Sequence, residues 1–280
     1  MSVLAGILER KREEILLLRA ASRRAGLEEA ARERPPARDF AGALRRADGR
    51  LAVVAEVKRR SPSKGPLAPD LDPAETAEAY ALGGADALSV LTDGPSFGGS
   101  LGDLEAARQA TRLPELRKDF MLDPVQLLEA AAAGADAVLL IEAAITDDVL
   151  LFDLVVMASE LSMAALVEVE DRAGLERVLQ AGASVVGVTN RDLRSFGEDL
   201  SVSERLGVSI PEGVVAVAES AIRSRQDAER MAGAGYDAIL VGEVLARAPD
   251  REAAVRSLTG IPTEGRYLRG PAGERATPCL

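Results

Sequence analysis

Gly134-Ala135-Asp136-Ala137 runs straight into Val138-Leu139-Leu140-Ile141, and 50 residues earlier Gly84-Ala85-Asp86-Ala87 runs into Leu88-Ser89-Val90-Leu91 in the same way. Weaker copies follow: Gly182-Ala183-Ser184 leads into 185–188 and Gly235-Tyr236-Asp237-Ala238 into 239–241, so the four glycines are spaced by 50, 48 and 53 residues. The physical reading is a helix ending at a glycine, a tight turn, and a short β-branched strand buried on both faces, as parallel strands require. Each period has room for two strand–helix units. Four further strand candidates lie between the repeats, at 52–57, 115–117, 164–169 and 214–218. Helical patterns fill the gaps at 73–82, 124–133, 147–161, 172–180, 223–232 and 251–258, with Asp72-Pro73, Asp123-Pro124 and Thr146-Asp147 as helix starts. Eight strands alternating with helices predict a single (β/α)8 TIM barrel ahead of an open doubly wound sheet. No Gly-x-Gly-x-x-Gly follows the first strand, which weakens a dinucleotide-binding reading.

Outward from the repeats, residues 1–45 read as an N-terminal helical extension, 46–262 as the barrel and 263–280 as a flexible tail without an apolar period. Within the extension, 7–20 is rich in Leu, Ile, Glu and Arg and predicts an amphipathic helix capping the side or bottom of the barrel.

Composition excludes several chemistries. Among 280 residues there is no His, which rules out a Ser-His-Asp triad, a Cys-His pair and a His-ligated zinc, and leaves proton transfer to Lys, Asp, Glu or Tyr. The single Cys, Cys279, excludes an intrachain disulfide and a thiolate cluster and fits a reducing compartment, so a cytoplasmic location is expected. Lys and Arg total 34 against 45 Asp and Glu, a net charge of -11 that argues against a nucleic-acid partner. The longest apolar runs fall far short of the roughly 20 residues of a spanning helix, and charged residues interrupt the N-terminus by Glu9, so no membrane partner or signal peptide is expected.

Barrel enzymes of this class place their chemistry at the C-terminal ends of the strands. Those ends are unusually polar here: Glu56-Val57-Lys58, Arg117-Lys118-Asp119-Phe120, Glu168, Thr189-Asn190-Arg191 and Glu219-Ser220. Residues two apart on a strand share a face, so Glu56 and Lys58 should point into the mouth together. One such junction could be an ordinary solvated charge; five together favour catalysis. A lysine desolvated by apolar neighbours is expected to have a lowered pKa and serve as an acid, and a buried carboxylate a raised one suited to a base. Ser220-Ala221 and Gly242-Glu243, after the seventh and eighth strands, are candidates for backbone phosphate binding, although Gly242 could equally ease a turn.

These strand ends also carry a resemblance. E-V-K-R-R-S-P-S-K-G from Glu56 to Gly65 closely resembles the first-strand signature of the indole-3-glycerol phosphate synthase family. V-L-T-D-G-P-S-F-G-G-S from Val90, L-R-K-D-F from Leu116, D-P-x-Q from Asp123, L-V-E-V from Leu166, N-R-D-L from Asn190 and A-E-S-A-I from Ala218 are similar to that family's motifs in the same order, over about residues 3–260. The resemblance implies a cofactor-free, metal-free enzyme of tryptophan biosynthesis. It would convert an anionic sugar phosphate, 1-(2-carboxyphenylamino)-1-deoxyribulose 5-phosphate, to indole-3-glycerol phosphate with loss of carbon dioxide and water, as a monomer or weak dimer. It further implies Lys118 as general acid, Glu168 as the catalytic carboxylate, Glu56 in support, and Lys58 holding the substrate carboxylate or assisting proton transfer. Ser61 matches a residue near that carboxylate, Phe97, Phe120, Leu139 and Leu193 match apolar walls around the anthranilate ring, and Arg191 and Glu219 match hydrogen-bonding groups. Ser220, Ala221, Gly242 and Glu243 fall where the family's phosphate-binding backbone lies.

Two positions depart from the family pattern: Thr189 stands where Asn is usual and Ala221 where Gly is usual. Loss of an amide hydrogen bond at 189 would cost about 0.5 to 1.5 kcal/mol. If the usual glycine has positive φ, Ala221 would carry strain of roughly 1 kcal/mol and weaken phosphate affinity. Two other readings stay open: another phosphate-binding barrel of the same pathway, and a diverged paralogue that binds the sugar phosphate without turnover.

Overall fold

The computed structural model describes residues 3–45, 48–192 and 197–263. Among them, β1 (Ala52–Val57), β2 (Ala87–Leu91), β3 (Glu115–Lys118), β4 (Ala137–Ile141), β5 (Ala164–Val169), β6 (Val185–Thr189), β7 (Val215–Glu219) and β8 (Ala238–Val241) pair in parallel and in chain order. β8 returns to β1 with Ala52 opposite Ala238, closing the barrel. β3 and β7 end one residue later than the apolar pattern predicts, so Lys118 and Glu219 are the last residues of their strands.

The repeated motif has a specific mechanical role. Gly84, Gly134, Gly182 and Gly235 have φ of 91, 86, 83 and 86°, a turn that only glycine makes without strain. In three of the four copies the aspartate two residues on then clamps the preceding strand of the barrel: Asp86 accepts from Val53 N at 2.9 Å, Asp136 from Glu115 N at 2.9 Å and Asp237 from Ala216 N at 2.8 Å. These bonds satisfy backbone donors at the ends where strands begin, which would otherwise be buried unpaired.

Alternation along each strand separates two cores. Ala52, Val54, Leu116, Leu139, Leu166, Val215, Val217 and Leu240 fill the barrel interior, while Val53, Leu88, Val138, Leu140, Val167 and Val186 face the helices. Continuing the inward parity by two residues places Glu56, Lys118, Glu168 and Glu219 inside the mouth. Helices around the sheet start at Asp72, Ser100, Asp123, Asp147, Asp171, Ser224 and Asp250, each accepting a backbone N–H as an N-cap, an arrangement that typically contributes about 1 kcal/mol per helix. The short helices Ser201–Gly207 and Glu243–Arg247 have no counterpart in the expected pattern, having too few turns for a legible period.

The N-terminal region differs from its expected single helix. It holds α1 (Val3–Leu18), α2 (Ala21–Glu33) and α3 (Phe40–Leu44). The bottom of the barrel is plugged by α3, whose Phe40 and Leu44 join the interior core. α1 instead packs Ile15 and Leu18 on Val125 and extends towards the ends of β2 and β3, because its buried face carries a lysine as well as apolar residues. No helix among the described residues is long and apolar enough to cross a membrane.

Candidate active site

Barrel closure brings the strand ends into one cavity. Lys118 Nζ lies 2.7 Å from Glu219 Oε2 and 3.1 Å from Glu168 Oε2, and Lys58 Nζ pairs with Glu56 Oε1. Two glycines make room for these carboxylates. A Cβ on Gly187 would sit 2.1 Å from Glu219 Oε1, and one on Gly242 would sit 2.2 Å from Glu56 Oε1 and 2.8 Å from Lys58 Nζ. Gly242 therefore does more than ease a turn: its bare Cα leaves space for the Glu56–Lys58 pair.

Electrostatics correct one expectation. Burial by itself would lower the Lys118 pKa, but the carboxylates of Glu219, Glu168 and Glu56 outweigh it and raise it, so the ammonium is held charged. The neighbours that decide its proton affinity are acidic, arriving from β1, β5 and β7, and not the apolar walls. Among the carboxylates, burial raises Glu219 to about 7, helped by Glu168 and opposed by Lys118. Glu56 goes the other way: burial would raise it, and Lys58 with Lys118 pulls it below its ordinary value. Glu219 Oε1 is buried and has no hydrogen-bond partner among the described residues.

One wall is aromatic. The rings of Phe97 and Phe120 are 6.2 Å apart at their centroids and tilted by 36°. Phe97 ends a one-turn helix, Gly94–Phe97, whose N-cap Asp93 accepts from Ser96 N at 2.7 Å, and Phe120 N donates to Asp119 Oδ1 at 2.8 Å. Leu91, Leu139, Ile141 and Leu240 complete the apolar lining.

The opposite wall is polar and conformationally unusual. Ser220 and Ala221 have φ of 64 and 61°, two successive left-handed residues without glycine. Thr189 Oγ1 lies 3.5 Å from Ser220 Oγ and 3.4 Å from Arg191 N. Arg191 pairs with Glu198 at 2.6 Å, and Arg223 pairs with the other oxygen of Glu198. Glu243 lies at the rim, 3.9 Å from Lys64 Nζ.

Of the residues singled out from sequence, Glu56, Lys58, Phe97, Lys118, Phe120, Leu139, Glu168, Thr189, Arg191, Glu219, Ser220, Ala221, Gly242 and Glu243 all line this cavity. Ser61 does not. Its buried Oγ accepts from Lys64 N at 3.2 Å, and the residue lines a separate groove between the Arg60–Ser61/Gly65–Pro66 ribbon and α1. Leu193 lies outside the described residues. Sequence reasoning missed Glu198 and Arg223 in the lining; Arg223 directly follows the A-E-S-A-I motif and could have been flagged by extending it, whereas Glu198 lies in a loop with no motif of its own.

The model of a family described as "Indole-3-glycerol phosphate synthase" matches residues 4–258. A relative from Streptomyces coelicolor, "Indole-3-glycerol phosphate synthase 2", is 48% identical over 258 residues, covering 92% of this chain and 99% of its own. "Indole-3-glycerol phosphate synthase" of Desulfosudis oleivorans is 44% identical, with 91% and 98% covered. Among solved structures, tryptophan synthase from M. tuberculosis superposes with a TM-score of 0.58 at 16% identity, covering 79% of this chain and 97% of that one, a likeness of fold alone. With the family model matching residues 4–258 and relatives 44% and 48% identical over about nine-tenths of its length, the chain belongs to the indole-3-glycerol phosphate synthase family.

Proposed function

We propose that the cavity carries out ring closure, decarboxylation and dehydration of 1-(2-carboxyphenylamino)-1-deoxyribulose 5-phosphate with Lys118 as the principal acid. The observation that supports this assignment is the clamp on Lys118: the carboxylates of Glu219, Glu168 and Glu56 keep it protonated at the inner end of a pocket with one aromatic and one polar wall. A proton donor must be loaded before substrate arrives. The substrate's aromatic ring lies against the wall formed by Phe97 and Phe120, with its carboxylate towards Lys58. The ring carbon bearing that carboxylate attacks the ketone, and Lys118 protonates the developing alkoxide oxygen. Carbon dioxide then leaves with its bonding pair returned to the ring. In the dehydration, Glu168 accepts a proton from the substrate while an ammonium group protonates the departing hydroxyl as water.

Glu219 has a complementary part. Even with its proton affinity raised to about 7, Glu219 remains a far weaker base than Lys118, whose own affinity is raised, so it holds the ammonium in place without taking its proton, and Gly187 gives it the room to do so. Arg191, braced by Glu198, and the left-handed Ser220-Ala221 turn hold the sugar phosphate at the other end of the cavity. For surroundings we propose a cytoplasmic protein, monomeric or weakly dimeric, with no nucleic-acid partner, in keeping with a net charge of -11 and a single Cys.

The test is turnover by purified protein in the presence of chelator, followed by the indole emission of the product against a chain with no Trp. Formation of indole-3-glycerol phosphate is the expected result. Tight binding of the sugar phosphate without product would replace this reading with that of a non-catalytic barrel.

A further inference from the structure

Lys11 is a buried cation that does not itself line the cavity, although its partner Asp119 does. It projects from α1, and its Nζ lies 2.9 Å from Asp119 Oδ1, 3.2 Å from Asp93 Oδ2 and 2.8 Å from Glu14 Oε2. Burial would lower its pKa, yet Asp119, Glu14 and Asp93 together raise it, so the ammonium stays charged. A charge this well buried is costly unless its partners need it.

Its two distant partners are the residues that set the aromatic wall. Asp93 is the N-cap of the single turn that ends in Phe97. Asp119 accepts from the backbone N–H of Phe120, and its other oxygen takes the hydroxyl of Thr92 at 2.6 Å and Arg117 Nη2 at 3.2 Å. Asp119 thus keeps three partners if Lys11 is lost, whereas Asp93 would be left a buried carboxylate facing only backbone donors. Arg10, the preceding residue, adds a second tie to the same turn by donating to Ser96 Oγ at 2.8 Å. The bases of the loops after β2 and β3 are already joined by the Thr92–Asp119 hydrogen bond, and the one ammonium adds a tie from Asp119 to Asp93, the cap of the turn that carries Phe97.

We propose that Lys11 is a positioning residue, which from α1 fixes the separation of the Phe97 and Phe120 rings and so tunes the fit of the substrate's aromatic ring. The inference rests on the reading of those two rings as the aryl subsite. It assigns to the N-terminal helix a part in substrate affinity and none in proton transfer, because Lys11 is walled off from the cavity by Asp93 and Asp119.

The experiment is a double-mutant cycle on the full chain, combining Lys11→Met with Phe97→Leu, with Asp93→Asn as a second probe that keeps a capping oxygen but removes the ion pair. Lys11→Met is expected to raise KM about tenfold with kcat changed by less than about twofold, and Asp93→Asn to move KM in the same direction by a smaller factor. In the Phe97→Leu background the effect of Lys11→Met on KM should largely vanish, because one ring of the pair is gone. A merely structural role would lower the melting temperature and leave KM alone. Unchanged KM in both Lys11→Met and Asp93→Asn, or a Lys11 effect on KM that simply adds to that of Phe97→Leu, would overturn the proposal. If Lys11→Met lacks a cooperative melt, Asp93→Asn alone decides by the same criteria. An inactive wild-type protein would instead overturn the functional reading on which the proposal rests.

Discussion

The two ends of the barrel use acidic residues in opposite ways. Where the strands begin, Asp86, Asp136 and Asp237 each accept a backbone N–H from a neighbouring strand. Where they end, Glu56, Glu168 and Glu219 face ammonium groups, and Glu219 keeps one buried oxygen without a partner among the described residues. The lower carboxylates are consumed in closing the sheet, and the upper ones stay chemically available. The same strands thus separate stability from chemistry along their length, a division the barrel architecture makes easy.

The largest test of that division is Lys118→Ala. Turnover should fall at least about a thousandfold, within the range of a lost general acid, while the melting temperature holds. Activity near that of wild type would reassign the acid. The converse probe is Asp136→Ala at the lower end. It orphans the N–H groups of Glu115 and Arg38 and unpairs Arg108, and should cost about 3 kcal/mol in denaturant unfolding with kcat little changed.

Glu115 sharpens the comparison, because it is a lower-end carboxylate that clamps nothing. Both of its oxygens are buried without a partner among the described residues, and burial raises its pKa from 4.5 to about 8, with Asp136 adding to the shift and Arg38 and Arg108 opposing it. A folded pKa above the unfolded one means that the linked stability is complete below the unfolded value and is lost as the pH rises through about 8. Glu115→Gln should therefore match wild type in stability near pH 4 and exceed it by about 2 kcal/mol near pH 9, read from melts across that range. Equal melts at both pH values would mean that water or a shifted Arg38 already satisfies the carboxylate. The smallest effect is expected at Ala221→Gly, which relieves a left-handed alanine and should add up to about 1 kcal/mol of stability in the mouth. A loss of stability would mean that the alanine methyl contributes packing worth more than the strain.

The Gly-Ala-Asp repeat made the barrel readable because each copy performs the same local task, so the period survives in the chain. The shared face of Glu56 and Lys58 followed from counting by two, and the same count places Lys118, Glu168 and Glu219 inside once Leu116, Leu166 and Val217 are known to fill the interior. What remained hidden depended on closure. The proton affinity of Lys118 was misread in direction because Glu168 and Glu219 lie 50 and 101 residues away and meet it only across the barrel. The plug formed by Phe40 and Leu44 sits in a helix of five residues, too short to show a period. Ser61 lies within the first-strand signature and yet turns away into the ribbon, because its hydroxyl closes the turn at Lys64. Lys11 looked like one more charge on an amphipathic helix until Asp93 and Asp119 were brought to it.

The bare Cα of Gly242 also constrains how this barrel can be redesigned. Any library that varies position 242 while Glu56 is kept must displace the Glu56–Lys58 pair, since even a methyl group there would overlap the Glu56 carboxylate. Position 56, on the first strand, and position 242, directly after the last, form a single choice: with a shorter residue at 56, position 242 opens to substitution without moving the mouth, and the order of those two steps sets which new chemistries this scaffold can reach.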